Sequence, residues 1–141
     1  MKNFIDKLLQ PYELICGCTY SYDSDGKIAG GYFSIYQKET QLTVSNFKLV
    51  PMSGCGGVVI SCNVSVEPDF RNKGYGTLLS NIRQQMAVEL RYSAMVCTVI
   101  DGNTFQQRIM EKNGWQKSVS FLNSKTGNNI IMYTKILNDG K

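Results

Sequence analysis

The period at which apolar residues recur changes along the chain, and each change marks an element. Residues 3–10 read as a short amphipathic helix. Strand-like runs follow at Tyr12–Tyr20, Ile28–Gln37 and Leu42–Val50. The turn Asp23-Ser24-Asp25-Gly26 separates the first two, and Pro51 with the glycine-rich Met52–Gly57 closes the third. Val58–Val66 is the clearest strand: Val58, Ile60, Cys62, Val64 and Val66 recur at period two and predict one apolar face. Pro68 ends it. Leu78, Leu79, Ile82, Met86 and Leu90 then recur at helical spacing over Thr77–Leu90, predicting a core-facing stripe. Ala94–Ile100 is continuously apolar, as in a strand buried on both faces. Asn103 or Thr104 can cap a helix over Thr104–Asn113 that carries Phe105, Ile109 and Met110, and Gly114 stops it. Val119–Leu122 and Ile130–Ile136 make a final hairpin across Asn123–Asn129. The order predicts a mixed α/β sandwich, rich in strands in its first half, with a partly parallel centre.

Composition narrows the class. The chain has 141 residues, 43% hydrophobic and 18% charged, with no linker, repeat or low-complexity tract, which predicts one domain over residues 1–141. No apolar run reaches the roughly 20 residues of a membrane span, so no membrane partner is expected. The start, MKNFIDKLLQ, carries Asp6 inside an amphipathic pattern and does not read as a signal peptide; a cytoplasmic protein is the expectation. There is no histidine, which excludes Ser–His and Cys–His catalysis and His-ligated metals. The five cysteines form no C-x-x-C pair, so reduced, packed thiols are expected and no metal site is. Cys16 and Cys18 share one side of a strand, where packing is the reading.

Charge adds a direction. The net charge is +4, but residues 1–70 carry five Lys/Arg against seven Asp/Glu, and residues 71–141 carry ten against four. A basic second half suits an anionic ligand, either nucleotide-like or nucleic acid, or is simply a solvated basic surface.

The candidate chemistry lies between the clear strand and the clear helix, in Glu67-Pro68-Asp69-Phe70-Arg71-Asn72-Lys73-Gly74-Tyr75-Gly76-Thr77. A glycine-containing loop entering a helix points unpaired backbone N–H groups one way, and the helix dipole adds to them. Gly74 and Gly76 let the backbone approach a ligand, and Arg71 and Lys73 add charge. Together these make a pyrophosphate cradle. The P-loop pattern is absent, and Leu79 stands where a dinucleotide fingerprint has its third glycine.

Arg71-Asn72-Lys73-Gly74-Tyr75-Gly76 resembles the R/Q-x-x-G-x-G/A acetyl-CoA motif of the GNAT-type N-acetyltransferase superfamily. The family's order, strand, loop, long helix, strand, Asn, helix and Gly-aromatic pair, is similar to Val58–Val66, Arg71–Gly76, Thr77–Leu90, Ala94–Ile100, Asn103, Thr104–Asn113 and Gly114-Trp115. The resemblance covers about residues 58–137. It implies a mixed central sheet, mostly antiparallel, with a splayed parallel central pair and flanking helices. It implies acetyl-CoA as cofactor and direct attack of a primary amine on the thioester. N–H groups from Asn72 through Thr77 (Asn72, Lys73, Gly74, Tyr75, Gly76, Thr77) would hold the pyrophosphate, with Arg71 anchoring the loop or touching phosphate. The strands would splay after Val66, with Val64 and Val66 against the pantetheine arm, the Val66 amide as oxyanion donor, and Asn103 on the pantetheine side as contact, cap or both.

The chain departs from the family in two places. The tyrosine that protonates the departing thiolate in many members would fall four residues before Gly114, where this chain has Met110. Tyr133 is the nearest alternative donor, or else a packed strand aromatic, and Glu67 or Asp101 at strand ends are candidate bases or solvated turn residues. The family also places one or two helices after its first strand, where residues 12–50 here read as strands. The acceptor therefore stays open, as a small-molecule or protein amine. The aromatics Tyr20, Tyr22, Tyr32, Phe33 and Tyr36 fall in that stretch, either packing a core or lining an acceptor site. An acyltransferase acting on nucleic acid or a nucleic-acid-associated protein, and a non-catalytic CoA-binding module, are the alternatives. Homodimers are common in the superfamily, and the late hairpin is the candidate interface.

Overall fold

A computed structural model describes residues 1–137, leaving aside the side chain of Asn63. Helix α1 (Lys2–Leu9) runs through a 3₁₀ turn (Gln10–Tyr12) into three strands, β1 (Leu14–Tyr22), β2 (Ile28–Gln37) and β3 (Thr43–Pro51). Then come β4 (Val58–Val66), a 3₁₀ turn (Pro68–Phe70), α2 (Tyr75–Glu89), β5 (Ala94–Ile100), α3 (Thr104–Lys112), β6 (Gln116–Asn123) and β7 (Asn128–Ile136). The ranges of β2, β4 and β5 coincide with those expected from the sequence. Helix α2 opens two residues earlier, because Gly74 at φ 84° serves as its N-cap. Strand β6 is longer than its apolar centre suggested, since pairing with β7 carries it from Gln116 to Asn123.

Among the described residues the strands form one sheet in the order β1-β2-β3-β4-β5-β7-β6. All neighbours pair antiparallel except β4 and β5. The crossovers β4–α2–β5 and β5–α3–β6 move in the same direction across the sheet, and right-handed connections put both helices on one face. The core follows from this. Cys16, Phe33, Ile35, Phe47, Leu49, Val59, Met95, Cys97, Val99, Ile131 and Tyr133 share that face and are buried. They form one cluster with Ile5 and Leu9 of α1, Leu79, Ile82 and Met86 of α2, and Met110 of α3. Phe33 stacks on Phe47 at 5.2 Å between centroids. The Arg83 guanidinium of α2 lies 5.8 Å from the Phe47 ring, and burial lowers its pKa to about 10.

The opposite face has no helix over it among the described residues, and this corrects two expectations. Strand β5 is apolar throughout yet alternates: Met95, Cys97 and Val99 are buried, whereas Thr98 and Ile100 are exposed. In β4 the fully buried positions are Val59 and Ser61, not the period-two set beginning at Val58 and Ile60. A bulge also divides that set. Asn46 pairs with Ser65 and Lys48 with Cys62, so β4 has one extra residue opposite Phe47. Val58, Ile60 and Cys62 face the open side, and Val66, opposite Ser45, faces the helix side.

The parallel pair is short. β4 and β5 pair only at Val58–Ala94, Val59–Met95 and Ile60–Val96. The gap therefore opens from Ser61 and Cys97 onward, below the expected point at Val66, because the bulge bends β4 away from β5 before the strand ends.

Candidate active site

The gap leads to the loop between β4 and α2. Glu67 donates its N–H to the Val44 carbonyl at 2.8 Å, so Val44–Glu67 is a hydrogen-bonded pair of the antiparallel ladder. The neighbouring pair Ser45–Val66 is then the non-bonded kind, and both backbone polar groups of Val66 turn away from β3 into the gap. Arg71 donates Nε–H to the Val66 carbonyl at 2.8 Å. That occupies the carbonyl and leaves the N–H facing the gap.

The loop itself is a cradle. Asn72 (φ 61°) and Gly74 (φ 84°) are both left-handed, a geometry that turns successive N–H groups inward. No side chain caps α2 at Gly74, so the N–H groups of Tyr75, Gly76 and Thr77 have no intrahelical acceptor. Phe70 packs against the loop and borders the cleft between it and α3: it is buried, meets Tyr75 edge-on at 5.9 Å, and carries the Lys73 ammonium 5.8 Å from its ring.

A cleft of about 320 Å³ runs between this loop and α3. Val66, Arg71, Asn72, Gly74, Gly76 and Thr77 line one wall. Phe105, Gln106, Arg108, Ile109 and Lys112 line the other. The two walls touch where a Cβ at Gly76 would come within 2.7 Å of Ile109 Cδ1, so the glycine sets how closely α2 and α3 approach. Arg108 and Lys112 were not singled out in the sequence. Their signal was there in the helical spacing of Phe105, Arg108, Ile109 and Lys112, which puts two cations on one face with two apolar residues.

Other expected residues stand apart from the cleft lining. Lys73 and Tyr75 flank it from the loop. Val64 is half-buried against the core cluster. Asn103 caps α3, its Oδ1 accepting the Gln106 N–H at 3.1 Å. Glu67 precedes the 3₁₀ turn, and Asp101 is exposed, its carbonyl accepting Gln107 Nε2 at 2.6 Å. Tyr133 lies on the helix-covered face of β7, fully buried in the cluster that contains Met110. Its hydroxyl finds no partner among the described residues, and burial, with Glu111 and Asp101 adding, pushes its pKa up. It pairs with Cys97, the first residue of β5 past the parallel pairing, and so sits one strand from the gap. Of the early aromatics, Phe33 is core, Tyr20 meets it edge-on at 6.2 Å, Tyr36 lies over Gly17, and Tyr22 and Tyr32 are exposed.

Residues 3–115 match the sequence profile described as the acetyltransferase (GNAT) family. The chain belongs to that family. This GNAT chain is accordingly an N-acetyltransferase of a family that uses acetyl-CoA. No curated protein sequence matches it significantly. Solved structures share its fold at low identity. A provisionally named phosphinothricin N-acetyltransferase is similar with a TM-score of 0.70 at 12% identity, over 84% of this chain and 75% of that one. Mutant forms of the spermidine/spermine N-acetyltransferase SpeG from Vibrio cholerae give 0.66 at 12%, over 77% and 68%. The provisionally named acetyltransferase YncA from Salmonella typhimurium, solved with its cofactor acetyl-CoA, gives 0.66 at 17%, over 78% and 66%. The residues present fit acetyl-CoA: uncapped N–H groups for its pyrophosphate, cations on both walls of the cleft, and an unpaired gap beside it for a narrow arm. No described helix is long and apolar enough to cross a membrane.

Proposed function

We propose that residues 1–141 act as one acyltransferase domain that transfers an acetyl group to a primary amine, by direct attack of the amine on the thioester. Of that span, residues 138–141 lie outside the described residues. The observation that carries the reading is the alignment of the Val66 N–H with the loop cradle along one gap. Acetyl-CoA, when bound, supplies the activated acetyl group. The loop N–H groups from Asn72 to Thr77 hold phosphate there, with Arg108 and Lys112 opposite them. Val66 would offer its N–H to the thioester oxygen, its own carbonyl held by Arg71 and the next residue held to β3 by the Glu67 N–H to Val44 bond.

The acceptor must arrive as a neutral amine, although a lysine-type amine near pKa 10.4 is mostly protonated at neutral pH. Glu67 and Asp101, at the ends of the two strands that bound the gap, are the bases assigned to this step. Tyr133 is the assigned proton donor to the leaving thiolate, because its hydroxyl is unpartnered among the described residues and stays protonated. Three of the second half's cations, Arg71, Arg108 and Lys112, face the cleft, which directs the positive charge at cofactor phosphate rather than nucleic acid.

Calorimetric titration with acetyl-CoA, followed by thiol release over a panel of primary amines, tests the reading. Micromolar binding with turnover supports it. Binding without turnover on small or protein-borne amines leaves a CoA-binding module instead, and no binding removes the cradle assignment. Tyr133→Phe should lower kcat while leaving acetyl-CoA affinity unchanged; an unaltered kcat would remove the tyrosine from the reaction.

A further inference from the structure

Away from the gap, on the edge strand β1, the chain holds two thiols in contact. Cys16 and Cys18 pair with Ile35 and Phe33 and point to the helix-covered side of the sheet, with their sulfurs 3.5 Å apart. They are unequally placed. Cys16 is buried in one cluster with Ile5 and Leu9 of α1, whereas Cys18 is half-buried at the margin of that cluster. A groove of about 970 Å³ between α1 and the start of β1, lined among others by Lys2, Asp6, Glu13, Cys16 and Lys38, opens beside the pair. The Cys16 contact and the Lys2 ammonium outweigh burial and the Asp6 carboxylate at Cys18, and lower its pKa to about 6. Cys18 is therefore the nucleophile of the two at neutral pH.

The backbone here can close a bond between them. Residues i and i+2 of an extended strand lie about 6.6 Å apart at Cα, from a rise of about 3.3 Å per residue, near the wide end of the roughly 4.4–6.8 Å that a disulfide spans. Two features let β1 pucker over the remainder. The residue between the cysteines is Gly17, which has no Cβ to restrict the bend. β1 also pairs with β2 alone, so no strand on its other side holds it flat.

We propose that Cys16 and Cys18 are a peroxide-reactive dithiol that closes to an intramolecular disulfide. The Cys18 thiolate attacks one oxygen of hydrogen peroxide. The O–O bond breaks, Cys18 becomes a sulfenic acid, and the departing hydroxide takes a proton to leave as water. The Cys16 sulfur then attacks the Cys18 sulfur. The S–O bond breaks, and the hydroxide leaves with the Cys16 proton as a second water. The two thiols are oxidised by two electrons in all, and the peroxide is reduced by two. A bridge across one extended strand stays near the limit of disulfide geometry, so it is of the readily reduced kind, and small thiols such as glutathione reopen it.

Peroxide treatment of the whole protein, followed by iodoacetamide and tryptic digestion, reads this directly. Cleavage after Lys7 and Lys27 releases residues 8–27, which contain Cys16 and Cys18 and no other cysteine. That peptide should lose two hydrogens in mass while the exposed Cys55 stays open to alkylation, and glutathione should restore both hydrogens. Cys16→Ser should stop at a sulfenic acid that dimedone traps on Cys18. Cys18→Ser should leave the peptide unoxidised. The parent result stands by itself should a serine variant fail to fold, and no readout uses acetyl-CoA or the transfer chemistry. Full alkylation of both thiols in the peroxide-treated parent overturns the proposal. So does a peptide that only gains oxygen, a disulfide that joins Cys18 to Cys55, or oxidation of Cys18→Ser at the parental rate.

Discussion

Arg71 donates its Nε–H to the Val66 carbonyl over 2.8 Å, and so ties the loop's first cation to the last residue of β4. The bond fixes one of the two Val66 backbone groups that face the gap and leaves the other free. An arginine at this place thus works first as a brace. Arg71→Ala removes a charge-assisted hydrogen bond at an exposed side chain, where solvent screening holds its contribution to stability to about 1 kcal/mol or less, and frees Val66 to turn. We expect acetyl-CoA affinity to fall tenfold or more, with kcat reduced as well, while thermal stability changes little because the side chain is exposed. Arg71→Lys keeps the charge but lacks the Nε–H. If it restored full activity, the brace would be irrelevant and charge alone would matter.

Gly74 and Gly76 predict opposite kinds of damage. Gly74 sits at φ 84° with open space where a Cβ would be, so Gly74→Ala strains the backbone by about 1–2 kcal/mol without blocking anything. Gly76 is inside the helix, where alanine is favoured by about 1 kcal/mol, but its Cβ would meet Ile109 at 2.7 Å. Gly76→Ala should therefore leave the melting temperature close to that of the parent while weakening acetyl-CoA binding severalfold, because Ile109 lines the cleft it is pushed towards. Adding Ile109→Val should recover most of the affinity. Failure of that rescue in calorimetry would mean the glycine is needed for backbone approach alone.

The contrast between these elements shows what the sequence could express. The loop, β2, β4 and β5 were legible because each rests on local rules: glycine spacing, period two, and a turn at each end. The burial of β4 was not. Its valines at period two predict a core face, yet Val59 and Ser61 are the residues under α2, since burial is decided by which side the crossovers put the helices on. The bulge that turns Val66 back to the helix side is likewise a matter of pairing with β3, invisible in residues 58–66 alone. Arg83 was unreadable for a similar reason: a basic residue in the helix reads as solvated until the Phe47 ring is placed beneath it. The α3 wall was not legible although its spacing is visible, because nothing within residues 104–113 shows that Phe105, Arg108, Ile109 and Lys112 face the loop rather than solvent until α2 and α3 are packed together.

We expect Arg108 and Lys112 to make acetyl-CoA binding sensitive to salt. Both line the cleft from α3 and face the loop across it. Their charges are partly screened, so each substitution to glutamine should cost about three- to tenfold in acetyl-CoA affinity at low ionic strength and less at high salt. The double substitution should flatten the salt dependence of Kd. Unchanged affinity and salt slope would place both cations outside the phosphate site.

The two thiols on β1 give the protein a pH response. Cys16 and Cys18 lie on the same face with their sulfurs 3.5 Å apart. The Cys16 thiol stabilises the Cys18 thiolate and lowers its pKa to about 6, while the Cys16 pKa rises through the same contact and through burial. As a pair they hold one proton over the range where the unfolded chain first holds two and then none. Between pH 6 and the usual thiol pKa near 9, the folded state binds one proton fewer, so stability rises with pH. Above that range the unfolded chain loses both protons and the folded pair keeps one, so stability falls again. Denaturant titrations across this interval should show a maximum near pH 9 that Cys16→Ser largely removes, and half-maximal alkylation of Cys18 should come near pH 6 in the parent. A stability profile that is flat from pH 6 to 9, with alkylation rising only at the ordinary thiol pKa, would show that the sulfur contact does not hold a thiolate in solution.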